Sequence, residues 1–163
     1  MYDPASAITG REAVFAAMPE NPAVVALGEL ATDAKFDRDE LTITVARENI
    51  VAACEAVKAA GYNFFETVTS VDWLPQEPRF QLSYHIVSHT LKQRVRLRVL
   101  VASTDANVPS ITPAWPSANF YEREVFDLFG INFTGHPSLT RIMMPDDWQG
   151  HPLRKDYPVE GYR

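Results

Sequence analysis

The segment from residue 121 to 137 concentrates the side chains that could do chemistry. It reads YEREVFDLFGINFTGHP and has four charged residues within its first seven positions. On a helix, Glu124 and Asp127 are three residues apart and could converge, whereas Glu122 and Asp127 are five apart and do not share a face. Acid–base catalysis needs a group within hydrogen-bond reach of the reacting atoms, and the spacing brings no second acid or base nearby. The pattern does not favour a catalytic carboxylate pair.

A metal site is the second kind of chemistry that the sequence offers. The possible ligands within sixteen residues are His136, Asp146, Asp147 and His151. Their spacing matches no helical HxxxH arrangement and no compact loop site. His136 and His151 each precede a proline, where extended backbone and a structural hydrogen bond are the ordinary outcome. A structural role is favoured, and a small stand-alone metal-dependent hydrolase using His136, Asp146 and His151 stays open as an alternative.

The composition limits the classes of protein and site further. The chain has 163 residues, 46% of them apolar, a net charge of −6 and a single cysteine, Cys54. These values are typical of one globular domain in a reducing, cytoplasmic setting, without attraction to nucleic acid. One cysteine excludes an internal disulfide framework and a multi-cysteine iron–sulfur site within this chain. No apolar stretch approaches the roughly 20 residues that a membrane helix needs, and the first residues do not resemble a leader peptide.

The charged segment 121–127 is predicted to lie on a helix, Ser117–Phe129, that is closed by Gly130. Arg123 and Asp127 are four apart and could pair along its surface. Large apolar groups occupy nearly every side of this helix: Phe120, Tyr121, Val125, Phe126, Leu128 and Phe129. A helix that is apolar nearly all round is typically buried on two sides. We therefore expect a partner protein to cover it.

The residues upstream predict the scaffold for this helix. Helical or strand periodicity indicates a short helix between Thr9 and Pro19, strands PAVVALGEL and ELTITVA around a polar turn TDAKFDRD, a helix RENIVAACEAVKAAG, a strand YNFFETVTSVDWL and a hairpin RFQLSYHIV–QRVRLRVLVA. The fold class is α+β: a mixed, largely antiparallel sheet with helices on one face, plus an extended C-terminal tail without regular structure. Arg94, Arg96 and Arg98 share the outer face of the last strand. Without a phosphate-binding glycine loop, this row is expected to meet the chain's own acids or an acidic partner.

The last thirty residues follow neither a helical nor a strand period. Four prolines exclude a long helix, and many apolar side chains need burial: Leu139, Ile142, Met143, Met144, Trp148, Leu153 and Tyr157. A long segment without secondary structure is usually functional or a connector. We predict an α+β domain over residues 1–130 and a partner-docking tail over residues 131–163, with Thr134–Arg163 lying along another protein.

The residues of the helix Ser117–Phe129 and of the tail also resemble the signature of a known family. The matching elements are Glu122-Arg123-Glu124, Asp127, Phe129-Gly130, Gly135-His136-Pro137, Leu139, Arg141-Ile142, Pro145, Trp148, Gly150 and the run PLRKDYP from Pro152 to Pro158. This ordered, gapless run closely resembles the signature of the thirty-kilodalton (C-type) subunit of bacterial NADH:quinone oxidoreductase, which is respiratory complex I. The resemblance covers about residues 40–163 and is most specific from about residue 115 onward.

The resemblance implies a role in assembly. It implies a peripheral-arm subunit on the cytoplasmic side of the bacterial inner membrane, touching the membrane only indirectly, with no catalytic residues, cofactor, metal or small-molecule substrate of its own. FMN and iron–sulfur clusters would belong to other subunits, and the partners would be the homologue of the forty-nine-kilodalton (D-type) subunit, which helps form the quinone site, and nearby iron–sulfur subunits. The equivalent subunit of a membrane-bound hydrogenase or of a photosynthetic NDH-type complex remains an alternative. The expected interface residues are Glu122, Arg123, Glu124, Asp127, Phe129, Gly130, His136, Pro137, Arg141, Trp148, Arg154, Lys155, Asp156 and Tyr157.

Overall fold

The computed structural model describes residues 7–161 and shows eight strands and four helices in that range. The strands are β1 Ile8–Thr9, β2 Ala31–Asp37, β3 Glu40–Val45, β4 Phe64–Asp72, β5 Phe80–Ser88, β6 Gln93–Val101, β7 Asn107–Pro109 and β8 Asn132–Thr134. The helices are α1 Arg11–Ala17, α2 Pro22–Ala26, α3 Ile50–Ala59, which follows a 3₁₀ turn at Arg47–Asn49, and α4 Ala118–Phe129.

Six strands form one sheet in the order β1-β2-β3-β6-β5-β4, and β7 pairs with β8 in a separate parallel pair. Every neighbouring pair in the large sheet is antiparallel except β3 and β6, where Ile43 lies opposite Leu97 in a parallel register. The alternate apolar residues of the hairpin strands are buried, as their period of two predicts. The prediction of a mixed, largely antiparallel α+β sheet is confirmed.

The two faces of the sheet have different chemistry. One face carries a single apolar core, into which α3 buries Ile50, Ala53, Cys54 and Val57. On the other face the arginine row of β6 meets the chain's own acids: Arg98 binds Asp33 at 3.0 Å, and Arg96 binds Glu40. The row was expected to meet the chain's own acids or an acidic partner, and the structure shows pairing with the chain's own acids.

Two of the predicted elements near the N-terminus are wrong. The segment PAVVALGEL forms helix α2 at Pro22–Ala26 and then a turn, instead of a strand. The helix begins here because Asn21 Oδ1 accepts hydrogen bonds from the N–H groups of Ala23 and Val24 and Pro22 occupies the first turn. The predicted turn TDAKFDRD lies largely within strand β2, which pairs along β3 and whose Asp33 binds Arg98. Pairing with a neighbour outweighed the polar composition there.

Helix α4 and the residues after it follow the prediction more closely. The helix spans Ala118–Phe129, with Ser117 and Gly130 at its two ends. Residues 131–161, which we call the tail, contain the short strand β8 and otherwise turns and bends. Among the residues that the structure describes, no helix has the length and apolar content to cross a membrane.

Candidate interface formed by the C-terminal helix and the tail

The tail completes the C-terminal end of α4. Gly130 has φ 70° and donates its N–H to Phe126 O at 2.8 Å, as in a left-handed helix cap. The last carbonyl groups of a helix have no partner within it. Here Leu128 O accepts from Leu153 N at 3.0 Å, and Phe129 O accepts from Arg154 Nε at 2.5 Å. The guanidinium also opposes the partial negative charge of the helix end.

The packing at Gly130 leaves no room for a side chain. A Cβ atom at this position would lie 2.5 Å from the His151 ring and 2.6 Å from Arg154 Nη2. The ring itself is fixed, since its Nδ1–H donates to Asp127 O at 2.9 Å. Glycine is needed at this position for its backbone conformation and for the close approach of the tail.

Asp127 is the main polar anchor of the tail. Its side chain is fully buried, and Oδ2 accepts the consecutive backbone N–H groups of Ile142, Met143 and Met144 at 2.7–3.0 Å. Oδ1 accepts from Arg141 Nη1 at 2.6 Å. Burial alone raises the pKa of the Asp127 carboxyl, but these donors outweigh it, and the pKa lies below its ordinary value. Residues 141–144 lack regular secondary structure, and this carboxylate supplies the hydrogen bonds that hold them instead.

Glu122 is buried beside the loop between β7 and α4. Its Oε1 accepts the N–H of Ile111 at 2.7 Å, and its Oε2 accepts the hydroxyl of Ser110 at 2.6 Å. Burial raises the pKa of Glu122 to about 7. His136 Nε2 lies 3.9 Å from Oε2, and its hydrogen bonds, from Ser138 N and to Asn119 O, assign the proton to Nε2. This group joins the start of the tail to α4.

A second anchor, centred on Arg79, holds the far end of the tail. Its guanidinium donates to both carboxylate oxygens of Asp72 (2.7 and 2.9 Å) and of Asp156 (2.7 and 2.9 Å). Asp72 also accepts the backbone N–H of Lys155 at 2.8 Å. The hydrogen bonds from Arg79 hold the pKa of Asp72 well below its usual range. The cations of Arg79 and Arg154 lie 4.9 and 5.2 Å from the centre of the Phe80 ring.

Sequence reasoning missed this second anchor. Asp72 is the last residue of β4, and Arg79 immediately precedes β5, so the two face each other across the connection of one hairpin. The sequence did contain one indication of this pair, namely an acid and an arginine on the two sides of the connection between two strands. No pattern in the sequence indicates that Asp156 joins them.

The structure divides the predicted interface residues into two groups. Those engaged within the chain include Glu122, Asp127 and Phe129, which are buried, and Gly130, His136, Arg141 and Arg154, which are partly covered. Arg123 donates to the carbonyl groups of Thr140 and Arg141 at 3.1 and 3.0 Å, and Asp127 pairs with Arg141 instead of Arg123. Tyr157 is partly buried. The exposed group comprises Glu124, Pro137, Trp148, Lys155 and Asp156, of which Asp156 also binds Arg79 and Lys155 also donates to Asp72 and to Leu74 O.

The tail exposes several large apolar side chains among polar ones. The apolar ones include Ile142 (40% exposed), Met143 (62%), Trp148 (39%) and Leu153 (51%), with exposed Asp146, Asp147 and Gln149 among them in the sequence. The backbone N–H groups of Ile142 and Met143 are held by Asp127, and that of Leu153 is held by Leu128 O at the end of α4. Large apolar side chains that stay exposed on an ordered segment are candidates for an interaction surface.

The candidate metal ligands do not come together. His136 lies beside Glu122, whereas His151 binds the end of α4. Burial lowers the pKa of His151. In residues 7–161, no group of three histidine, cysteine or acidic side chains is arranged to hold a metal ion.

The chain resembles one family over most of its sequence and fold. Residues 43–163 match the family described as the 30 kDa subunit of respiratory-chain NADH dehydrogenase. The C-type subunit of the NADH-quinone oxidoreductase of Citrifermentans bemidjiense is 46% identical over 86% of this chain and 91% of its own length. The corresponding NADH-quinone oxidoreductase subunit of a Roseiflexus species is 48% identical over 75% of this chain and 72% of its own.

Two solved structures share the fold. A trypsin-resistant fragment of Nqo5 is 38% identical and superposes with a TM-score of 0.58 over 61% of this chain and 83% of the fragment. A chain of the membrane-bound sulfane sulfur reductase, an archaeal respiratory membrane complex, is 26% identical with a TM-score of 0.72 over 83% of this chain and 82% of its own. The signature from α4 to the end of the tail and the match over residues 43–163 agree: the chain belongs to the family of the 30 kDa subunit of respiratory-chain NADH dehydrogenase.

Proposed function

We propose that the chain is a non-catalytic assembly subunit of a membrane-bound, proton-translocating NADH:quinone oxidoreductase. In this role it lies in the peripheral arm on the cytoplasmic side of the inner membrane. It docks on the D-type homologue that helps form the quinone site and on nearby iron–sulfur subunits, while FMN and the clusters are carried by other subunits. The names of its relatives, each the C-type subunit of an NADH-quinone oxidoreductase, support this assignment.

The observation that carries the proposal is the set of large apolar side chains exposed on the tail. Met143 and Leu153 are each more than half exposed, yet their own backbone N–H groups are hydrogen-bonded, that of Met143 to Asp127 Oδ2 and that of Leu153 to Leu128 O. A surface that is already ordered loses little conformational entropy on binding, so its apolar burial is retained as affinity. The tail therefore has the properties of a preformed docking surface.

The polar groups support a structural role as well. The carboxylates of Glu122 and Asp127 accept hydrogen bonds from backbone and side-chain donors within the chain, and Arg79 is shared by two aspartates. Side chains used in this way hold segments together and are not directed at a bound substrate. Docking is then supplied by the exposed members of the predicted set, Trp148 and Lys155 among them.

The proposal can be tested by replacing Met143 with Asp in the tagged full-length chain, expressed in its own host. A charge at the centre of an apolar interface should cost about 2 kcal/mol or more, on the order of 30-fold in Kd. The other subunits should then be lost from the purified complex. Val25→Asp is the matched control, because Val25 is also an exposed apolar residue (66%) but lies on α2. Full assembly of the Met143 variant would contradict docking through the tail.

A second candidate is the equivalent subunit of a related respiratory complex with another electron acceptor. The fold match to a chain of the sulfane sulfur reductase complex favours it, although the identity of 26% is below the 46% shared with an NADH-quinone oxidoreductase relative. Mass spectrometry of the subunits that co-purify with the tagged chain distinguishes the two. NADH-oxidising subunits in the purified complex support the first candidate, and their absence supports the second.

A further inference from the structure

The two edges of the large sheet are not equivalent. The β1 edge has only two residues, Ile8–Thr9, whereas the β4 edge has nine, Phe64–Asp72. β4 pairs with β5 on one side. Within residues 7–161, its backbone from Phe64 to Val71 has one hydrogen bond outside that ladder, from Thr67 Oγ1 to Val68 O at 3.4 Å. A long edge strand presents a row of unpaired N–H and C=O groups that another strand can bind.

The direction of these groups follows from the hairpin. Trp73 donates its N–H to Arg79 O at 2.7 Å, across the connection from β4 to β5. Because the direction alternates along an antiparallel strand, residues 69 and 71 face β5, and Val68 and Ser70 turn their N–H and C=O groups to the free side. Residues 67–70 alternate between the two faces of β4, yet all of them line one cavity together with residues of α4, so α4 borders the free side of the strand.

A groove runs between this free edge and α4. It contains a cavity of about 160 Å³, lined by Thr67, Val68, Thr69, Ser70, Glu124, Val125, Leu128, Phe129 and Leu153. An apolar cavity of about 150 Å³ can hold a benzene-sized group, so this one has room for a single large apolar side chain. The hydroxyl of Ser70 lines the groove, is buried, and has no hydrogen-bond partner among the described residues.

The β4 edge has no lysine or proline, two of the devices that usually protect an edge strand. Natural edge strands carry lysine, proline or bulges that discourage pairing, whereas β4 reads FFETVTSVD. Its bulge lies near the start, between Phe65 and Thr67, and leaves residues 67–72 in regular register. Glu66 lies 3.7 Å from Arg94 across the sheet, and Val71 is 40% exposed. The edge is thus open to an added strand.

We propose that the β4 edge binds an extended segment of a partner subunit as a seventh strand of the sheet. Main-chain hydrogen bonds to Val68 and Ser70 hold the segment, and one apolar side chain fills the cavity beside Val125 and Leu128. Glu124 is exposed at the groove and has no ion-pair partner within the part of the chain described. The segment therefore carries a lysine or arginine opposite it. This inference rests on the proposed function and names one mode of its docking.

The direct test is amide hydrogen exchange of the full-length chain, alone and in the complex purified from its host. In the complex, exchange of the peptide that covers residues 67–71 should slow by at least about tenfold, because amides on the free edge gain hydrogen bonds. Exchange within α4 should change less, since those amides are already bonded in the helix. Unchanged exchange of residues 67–71 in the assembled complex overturns the strand addition.

A pair of substitutions at Ser70 gives an independent test. Ser70→Pro removes the outward N–H and places the ring in the path of an added strand, while the bonds of residues 69 and 71 to β5 remain. Ser70→Ala removes the hydroxyl and keeps the N–H. We expect the proline variant to lose at least about tenfold in association with the complex and the alanine variant to lose less than about threefold. Circular dichroism of the isolated variants shows whether both are folded.

The outcomes separate this inference from the proposed function. If the wild-type chain co-purifies with the other subunits and Ser70→Pro does so equally well, the strand addition is wrong and the assembly role stands. If the wild-type chain does not co-purify with them, the assembly role itself fails. If the isolated chain sediments as a dimer that Ser70→Pro breaks, the edge binds a second copy, and the inference is overturned.

Discussion

The sheet and the tail are both ordered, but different interactions hold them. The sheet is held by alternate apolar side chains such as Leu82 and Leu97, which are fully buried. The tail is held by polar groups, chiefly the Asp127 carboxylate, the last carbonyl groups of α4 and the Arg79 guanidinium. Apolar packing leaves a period in the sequence, whereas single polar anchors do not. An aperiodic segment can therefore be as well ordered as a strand.

Asp127→Asn is expected to have the largest effect, a loss of stability in the tail but not in the sheet. The change leaves Arg141 without its charged partner and weakens the bonds to residues 142–144, and breaking a buried ion pair costs about 3–5 kcal/mol. Only the tail should open, so proteolysis should cut residues 141–156 much faster while the sheet stays protected. Asp146→Asn, at an exposed position, serves as the control. Cooperative unfolding of the whole chain would show that tail and sheet are a single unit.

The converse change is Leu97→Ala in the centre of the sheet. Removing a fully buried leucine side chain costs about 2–5 kcal/mol through lost burial and the cavity that remains. This loss should lower the midpoint of urea unfolding of the whole molecule. The rate of tail cleavage should then rise only in step with global unfolding. Selective release of the tail by this variant would contradict the distinction between the regions.

Gly130→Ala should weaken the contact between α4 and the tail, at the junction of the two regions. A non-glycine residue in the left-handed conformation costs about 1–2 kcal/mol, and here its Cβ would also collide with His151 and Arg154. Gly135→Ala is a matched control, because Gly135 has φ 81° and no atom within 4 Å of its Cβ position. Thermal unfolding measures how much more stability is lost in Gly130→Ala than in Gly135→Ala. This difference is the contribution of the close contact between tail and helix. Equal losses would show that the contact contributes nothing.

A smaller effect, with a characteristic pH dependence, is expected from Glu122→Gln. The pKa of Glu122 is raised to about 7, so its contribution to stability is fully present below the unfolded value of about 4.3 and is lost as the pH rises through about 7. Glutamine cannot ionise, and the variant should be more stable than the wild type at pH 8 by at least about 1.4 kcal/mol, the free energy that corresponds to one unit of pKa shift. The difference should vanish below about pH 4. Urea unfolding at both pH values measures it, and equal differences would exclude titration of Glu122.

Low pH should destabilise the tail, whereas the contribution of Glu122 to stability is lost at high pH. The pKa values of Asp127 and Asp156 are lowered, the first by the backbone donors and Arg141 against the effect of burial, the second by Arg79. Their contributions are present above the unfolded value of about 3.9 and are lost as the pH falls through the lowered values. The amide NMR signals of residues 142–144 should therefore broaden or shift below about pH 4, before those of β5. Signals that persist to the same pH in both regions would refute this order.

The sequence predicted the parts of the molecule that depend on regular burial. The hairpin of β5 and β6, helix α3 and helix α4 all follow from residues of one type at a fixed spacing. It predicted neither α2, which depends on the Asn21 cap, nor β2, whose polar residues pair along a neighbouring strand. Local composition does not contain the tertiary partner that decided β2.

The candidate interface was predicted as a set of residues but not as an arrangement. The charged and aromatic motif of α4 drew attention to Glu122 and Asp127, and their spacing disfavours a catalytic pair. That both are buried and bind backbone N–H groups cannot be read from spacing, because their partners lie 11 and 15–17 residues away in irregular segments. The sequence indicated that the apolar residues of the tail need burial, but not which of them stay exposed.

The parallel pairing of β3 and β6 has a consequence for how the chain folds. The sheet consists of two antiparallel triplets, β1-β2-β3 and β6-β5-β4, each formed by strands close in sequence and joined through this one pair. Pairs close in sequence form quickly, whereas the β3–β6 pair must close a loop of about fifty residues, which costs entropy before any contact forms. The two triplets should therefore form early, and their docking should limit the folding rate. Substitutions at Ile43 and Leu97 would then slow folding more than they accelerate unfolding.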